Sequence, residues 1–277
     1  MEDLQLFTTI RYDAELLNVP KQGFVNVGWN QNPSLFYMLD LHRDRMLKAA
    51  SHWGWEAAVR TLHGDDGLRV LEAFLQTNVA KVVDGPHRVK ILIDREGTLS
   101  VIKAPTKPVH LNNLFPSSIP KPSHYVNSSS DFDKIPVQDP VYEIVLDKQT
   151  TAESPFTYFK TTHRPMYDEA RHRANIGSTD EREVLLVNEN DGSIMEGSIT
   201  TPYFWRNGRW VTPPVSSEFN VTKGNGGNNG TTRRAHADLD RNLVAEEVVQ
   251  ADSLLDGEEC WISNGLKGFV SGRVRLL

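Results

Sequence analysis

The chain has 277 residues, 39% hydrophobic and 24% charged, the make-up of an ordinary globular protein with one large domain or two sharing a cleft. Its net charge of −6 argues against a nucleic-acid partner, whose phosphates demand clustered Lys and Arg, but leaves room for a small anionic ligand in a local basic pocket. The single cysteine, Cys260, excludes an intrachain disulfide and fits a reducing compartment. No run approaches the roughly twenty apolar residues of a membrane span, and Met1-Glu2-Asp3-Leu4 lacks the pattern of a secretory signal. A cytoplasmic protein without a membrane partner is the expectation.

The first helix is predicted from about Phe36 to Trp55. Met46, Leu47, Ala50, Trp53 and Ala57 recur at helical spacing, while His42 and Arg45 share another face. A second helix is expected over Asp66–Thr77. Val89, Ile91 and Ile93, then Asp94-Arg95-Glu96-Gly97, then Leu99, Val101 and Ile102 read as a hairpin. From Ala104 to Pro140 the chain turns rich in Pro, Ser and Asn, which suggests a linker or ordered loops. Residues 1–115 would form a small α/β domain, 116–140 the linker and 141–277 a larger domain.

Beyond the linker, Val141–Leu146 and Glu183–Asn188 read as strands and Arg164–Asn175 as a helix. Tyr203-Phe204-Trp205 should pair with Trp210-Val211-Thr212 across Asn207-Gly208, because a type I′ turn needs positive φ twice. A Gly/Asn-rich loop, Gly224–Gly230, then feeds an expected helix from Thr232 to Val249 with Leu239, Leu243, Val244 and Val248 as its apolar stripe. Trp261-Ile262-Ser263 and Phe269–Leu277 close the chain as strands. The class is α+β, without regular βαβ alternation.

Several catalytic signatures are absent, among them Gly-x-Ser-x-Gly, paired cysteines and His-Glu-x-x-His. Ser118-Ile119-Pro120-Lys121 has the spacing of a Ser-x-x-Lys nucleophile, but its proline disfavours the required helical turn. The Gly-rich loop could turn successive amides inward and, with the helix start at Thr231 and Thr232, cradle a phosphate. Arg45 could grip the same group through its guanidinium. Lys160, after Thr157-Tyr158-Phe159, could be partly desolvated, which frees an amine for covalent chemistry. Read singly, each has a plainer account: a surface loop, a solvated helix arginine, a lysine reaching water. Glu196, before Gly197-Ser198, would then be an exposed turn carboxylate.

Their order carries more than any one of them. His42-Arg43-Asp44-Arg45, Phe159-Lys160-Thr161-Thr162-His163-Arg164, Ile194-Met195-Glu196-Gly197-Ser198, Trp210-Val211-Thr212-Pro213-Pro214, Gly230-Thr231-Thr232-Arg233 and Trp261-Ile262-Ser263-Asn264 follow one another along the chain. This succession resembles the class IV aminotransferase-like family, called fold type IV. The resemblance implies a small α/β N-terminal domain, a larger pseudo-barrel C-terminal domain, and pyridoxal 5'-phosphate as cofactor. It further implies a small-molecule substrate and a homodimer. Carried over residue by residue, Lys160 would hold the cofactor and act as the base, and Glu196 would face its pyridine nitrogen. Arg45, Ile199, Thr200, Thr231 and Thr232 would bind its phosphate, and Asn264 would lie at the substrate end.

Within the family, Phe7-Thr8-Thr9-Ile10-Arg11 and Lys160-Thr161-x-x-Arg164 resemble the 4-amino-4-deoxychorismate lyases. That resemblance implies release of pyruvate to form 4-aminobenzoate, with Arg88, Lys90 and Arg164 receiving substrate carboxylates. A transaminase for D-amino acids or R-configured amines is the alternative on the same residues, and a catalytically dead binding protein is the alternative of another class. Thr201-Pro202 stands where many members of the family have an asparagine.

Overall fold

The computed structural model describes residues 3–24, 27–123, 139–219, 226–235 and 244–276. The chain divides into two compact units. The first comprises Met1–Leu111 with Phe159–His163, and the second Asn112–Tyr158 with Arg164–Leu277.

The first unit is built on an antiparallel sheet of β1 (Leu6–Tyr12), β2 (His87–Ile93) and β3 (Leu99–Pro105). Leu6 pairs with Ile93, Thr8 with Ile91 and Ile10 with Val89. All six are fully buried, and each apolar side chain so covered contributes roughly 1.5–3 kcal/mol. The helices α1 (Leu39–His52), α2 (Glu56–Leu62) and α3 (Gly64–Leu75) supply further core through Met46, Ala50, Ala58, Leu71 and Leu75. Helix α1 starts later than its apolar pattern predicts because Met38 is left-handed, φ 52°, with its amide donating to Asn30 Oδ1 at 2.8 Å. The hairpin at Asp94–Gly97 forms as expected. Strand β1 was not legible as a strand, since both of its faces are covered and its polar residues do not alternate cleanly.

The second unit is an eight-stranded mixed sheet curled into a half-barrel. Its strands are β4 (Tyr142–Thr151), β5 (Arg182–Asn188), β6 (Ile194–Gly197), β7 (Thr201–Arg206), β8 (Arg209–Thr212), β9 (Val244–Glu246), β10 (Glu259–Asn264) and β11 (Gly268–Val274). The spatial order is β6-β5-β4-β11-β10-β7-β8-β9. One face carries Ile144, Leu185, Ile194, Phe204 and Ile262 into the main core. The other face of β4 and β5 presents Val145, Val184 and Leu186 to Tyr167 and Ala170 of a helix over Pro165–Arg173. Cover on both faces explains the unbroken apolar run Val184–Val187. Short helical turns occupy Leu111–Leu114, Pro155–Tyr158 and Thr231–Ala235. In chain order these are α4, α5 and α7, with Pro165–Arg173 as α6.

Asn207 and Gly208 take positive φ of 50° and 83°, and Trp205 faces Trp210 across the predicted hairpin. Part of the proposed linker is packed: Ile119 is buried against Tyr203 and Trp210, and the Trp210 indole donates to the Pro120 carbonyl at 3.1 Å. Residues 124–138 of that stretch lie outside the described residues. The helix expected over Thr232–Val249 is corrected. Among the described residues of that stretch Thr231–Ala235 is helical, and Val244–Glu246 is a strand parallel to β8. Of the valines at helical spacing there, Val244 is extended and packs partly against the cluster around Trp210, whereas Val248 is exposed. Leu239 and Leu243 lie outside the described residues.

Candidate active site

Lys160 belongs to a segment laid antiparallel to the start of β1. The Phe7 amide donates to the Lys160 carbonyl at 3.0 Å, the Thr162 amide to the Gln5 carbonyl at 2.9 Å, and Leu6 bridges Thr161. This pairing fixes the lysine backbone while its half-buried side chain places Nζ 5.5 Å from the centre of the Phe7 ring. Lys90, next to Thr9 in the ladder, has its Nζ 4.2 Å from the same ring. Phe159 stacks on His52 with centroids 4.4 Å apart and meets Trp53 edge-on at 5.1 Å. Burial pushes the His52 pKa down, as desolvation disfavours an imidazolium. The expected aromatic surroundings of Lys160 are therefore present.

Arg45 donates to the Thr8 hydroxyl, which also lies 2.6 Å from Nδ1 of the fully buried His42. A guanidinium can only donate, so the Thr8 oxygen is the acceptor in that bond. Thr8 thereby locks the guanidinium to α1. Its role went unread, although it stands within the quoted Phe-Thr-Thr segment. Arg88 is exposed on β2, opposite the fully buried Arg11. Arg11 is held by Asp13 at 2.6 Å and donates to the Lys107 carbonyl at 3.2 Å.

In the second unit Glu196 is no exposed turn residue. It sits in β6 at 8% exposure, and the Tyr167 hydroxyl donates to its Oε1 at 2.5 Å. The same hydroxyl stands 3.1 Å from the Thr157 carbonyl. Tyr167 was missed because a lone tyrosine in a polar helix carries no pattern of its own. Burial first, then the charge of Glu196, holds its pKa well above the usual phenol range.

The glycine-rich loop packs closely on β6 and β7. A Cβ on Gly227 would stand 2.6 Å from the Met195 carbonyl oxygen, and one on Gly230 would stand 2.7 Å from Thr201 Oγ1. Where the loop ends, Thr231 and Thr232 are buried and their hydroxyls have no hydrogen-bond partner among the described residues. Such orphans are costly without an acceptor. The following turn closes through Arg234 N–H to the Gly230 carbonyl, so the amides of Thr231 and Thr232 have no acceptor within it.

The structure gives Ile199 and Thr200 a different direction. The Ile199 amide at 3.2 Å and the Thr200 hydroxyl at 2.8 Å both donate to the buried Glu183, which also accepts from the Ser198 amide and hydroxyl. Donors turned to a carboxylate are not available to a phosphate, and that carboxylate would repel one. Arg164 contacts Asp168 at 3.0 Å, donates to the Ser198 carbonyl at 3.2 Å and lies over the Tyr167 ring. Asn264 is a turn residue whose Oδ1 accepts from Leu266 and Lys267 at 3.0 and 2.9 Å.

The family model of amino-transferase class IV matches residues 6–273. The chain belongs to this family. A "Putative aminodeoxychorismate lyase" of Schizosaccharomyces pombe is 30% identical over 136 residues, 47% of this chain and 54% of that protein. The aminodeoxychorismate lyase of Saccharomyces cerevisiae is 30% identical over 150 residues, 48% of this chain and 37% of that protein. The chain thus spans about half the length, or less, of the curated relatives it matches. A "Putative amino-acid aminotransferase" of Mesorhizobium loti superposes with a TM-score of 0.64 at 20% identity, over 98% of this chain and all of that one. Its class IV fold is shared at that distance. Among the described residues no helix is long and apolar enough to cross a membrane, and no cluster of His, Cys, Asp or Glu could hold a metal.

Proposed function

We propose that the chain is a pyridoxal-phosphate-dependent 4-amino-4-deoxychorismate lyase, forming 4-aminobenzoate and pyruvate as a cytoplasmic homodimer. The observation that carries the lyase reading is the 30% identity to two relatives that both bear this name. Class IV membership alone leaves the reaction open between lyase and transaminase.

The residues present fit the cofactor. The buried, partnerless hydroxyls of Thr231 and Thr232 suit an anionic group, and the close packing at Gly227 and Gly230 keeps the loop against β6 and β7. Glu196, a buried acceptor, suits a protonated ring nitrogen. When bound, pyridoxal phosphate supplies an electron sink for charge left on a carbon beside nitrogen. In this reading Lys160 would hold the cofactor, and its amine would be the base that takes the proton from the substrate carbon bearing nitrogen. The ether bond to the enolpyruvyl group breaks as the ring becomes aromatic, and the departing enolate gains a proton to become pyruvate. Glu196 would keep a proton on the pyridine nitrogen. Arg45, Thr231 and Thr232 would bind the phosphate, while the Ile199 amide and the Thr200 hydroxyl hold the turn on Glu183. Lys90, beside the same ring as Lys160, is the cation best placed in the first unit for a substrate carboxylate.

The test is to mix cofactor-loaded protein with freshly generated aminodeoxychorismate, without a keto acid, and to assay 4-aminobenzoate. Many turnovers per cofactor are expected. A visible cofactor band with no product, bleached by an amine donor and restored by a keto acid, would establish the transaminase instead. A band that survives Lys160→Ala would overturn the role of that lysine.

A further inference from the structure

We propose that Tyr167 is a positioning residue for Glu196, whose phenol keeps this buried carboxylate ionised and thereby keeps a proton on the nitrogen it faces. The second half of the statement rests on the cofactor assignment above; the first does not.

The separation of 2.5 Å between the Tyr167 hydroxyl and Glu196 Oε1 is that of a charge-assisted O–H···O⁻ bond. Its surroundings make the bond matter. Tyr167 packs in one cluster with Val145, Ile176, Val184, Leu186 and Met195, the residue just before Glu196. A carboxyl at 8% exposure beside such a cluster favours its neutral form unless a donor reaches it. Tyr167 is that donor, and it cannot itself ionise at working pH, because burial and the facing carboxylate both hold its proton on.

The hydroxyl is aimed from several sides. Helix α6 begins with Pro165 at its first turn, which pre-sets the backbone two residues before Tyr167. The Arg164 guanidinium covers the ring at 4.9 Å. Thr157, whose carbonyl stands 3.1 Å from the phenol oxygen, is held by reciprocal bonds with Ser154: Ser154 N–H to Thr157 Oγ1 at 3.1 Å and Thr157 N–H to Ser154 Oγ at 3.3 Å. The charged groups that bear on Tyr167 are Glu196 and Arg164. Arg164 stabilises the ionised carboxylate as well, by its positive charge, but from the ring face and without a hydrogen bond to it among those described.

A tyrosine kept only for packing would leave the proton affinity of Glu196 unchanged when its hydroxyl is removed. The experiment is a carbon-13 titration of the glutamate carboxyls in the full chain without added cofactor, with Glu196 assigned by Glu196→Gln. Tyr167→Phe should bind the Glu196 proton roughly tenfold more tightly, and 3-fluorotyrosine at position 167, a stronger donor, should bind it less tightly than wild type. An unchanged midpoint in both proteins would overturn the proposal. Loaded with pyridoxal phosphate, Tyr167→Phe should shift the pH titration of the visible band in the wild-type background but not in Glu196→Gln. A wild-type protein that shows no band at all, with the carboxyl shift intact, would refute the cofactor assignment and leave the hold of Tyr167 on Glu196 standing.

Discussion

Lys160 holds its ammonium 5.5 Å from the centre of the Phe7 ring, and the backbone of the two residues is joined by a hydrogen bond of 3.0 Å. One aromatic residue thus fixes the lysine in two ways, through the strand and through the negative face of its ring. Phe7→Leu keeps the backbone pairing and loses the ring, which at each of the two lysines contributes about 0.5–1 kcal/mol. A urea midpoint lowered by that amount, with a proportionate loss of turnover, is expected. Phe7→Ala, at a site 4% exposed, should cost about 3–5 kcal/mol.

Thr8 should matter to cofactor retention more than to folding. Thr8→Val is close in volume and removes the acceptor that holds Arg45 to His42. The dissociation constant for pyridoxal phosphate, followed by fluorescence quenching, should rise on the order of tenfold, a loss of about 1.4 kcal/mol. An unchanged constant would mean that Arg45 needs no such guide.

Asp13 neutralises an arginine that is wholly buried. Burial pushes the Arg11 pKa down, and the charge of Asp13 offsets the effect. Asp13→Asn removes the carboxylate that faces this cation and should cost about 3–5 kcal/mol in denaturant titrations. A double change of both residues to apolar ones of like size should restore much of the loss.

Alkaline pH should weaken the second unit. The Tyr203 hydroxyl is pushed up from 10.0 to about 12 by burial. Below pH 10 both folded and unfolded chains keep the proton. Between 10 and 12 the unfolded chain releases it and the folded chain does not, so stability falls as pH rises, by roughly 1.4 kcal/mol per unit. Cys260 acts in the same direction, beginning at its ordinary value of 9.0. Urea midpoints measured from pH 8 to 11 should decline, and Tyr203→Phe should flatten the upper part of that slope.

Gly227 tests the loop. Alanine there would bring its Cβ to 2.6 Å from a backbone carbonyl, so the loop must move off β6. Gly227→Ala should lower cofactor affinity strongly while changing the melting temperature little, as read by absorbance and calorimetry.

The linear order of motifs made the family legible, since Lys160, Glu196 and Thr231 each stand in a run with its own local chemistry. The hairpins were legible too, because Asn207-Gly208 and Asp94–Gly97 are read from turn chemistry alone. What escaped were features set by tertiary cover. Residues 244–246 looked helical because Val244 and Val248 fall four apart, yet they extend along Trp210–Thr212. Ile199 and Thr200 sat beside a phosphate-binding expectation, but a buried carboxylate sixteen and seventeen residues earlier, Glu183, takes the Ile199 amide and the Thr200 hydroxyl. Glu196 taken singly read as an open turn, whereas it is a buried strand residue to which the fold brings Tyr167.

The phenol of Tyr167 has a single hydrogen and two oxygens in reach, Glu196 Oε1 at 2.5 Å and the Thr157 carbonyl at 3.1 Å. With Glu196 ionised, the hydrogen points to it. Should Glu196 gain a proton, it becomes the donor, and the phenol swings its hydrogen to Thr157. A buried carboxyl can then take up or release a proton with the rotation of one neighbouring O–H bond as the local response, a movement far faster than any backbone rearrangement, and Thr157 in α5 is the other pole of the toggle.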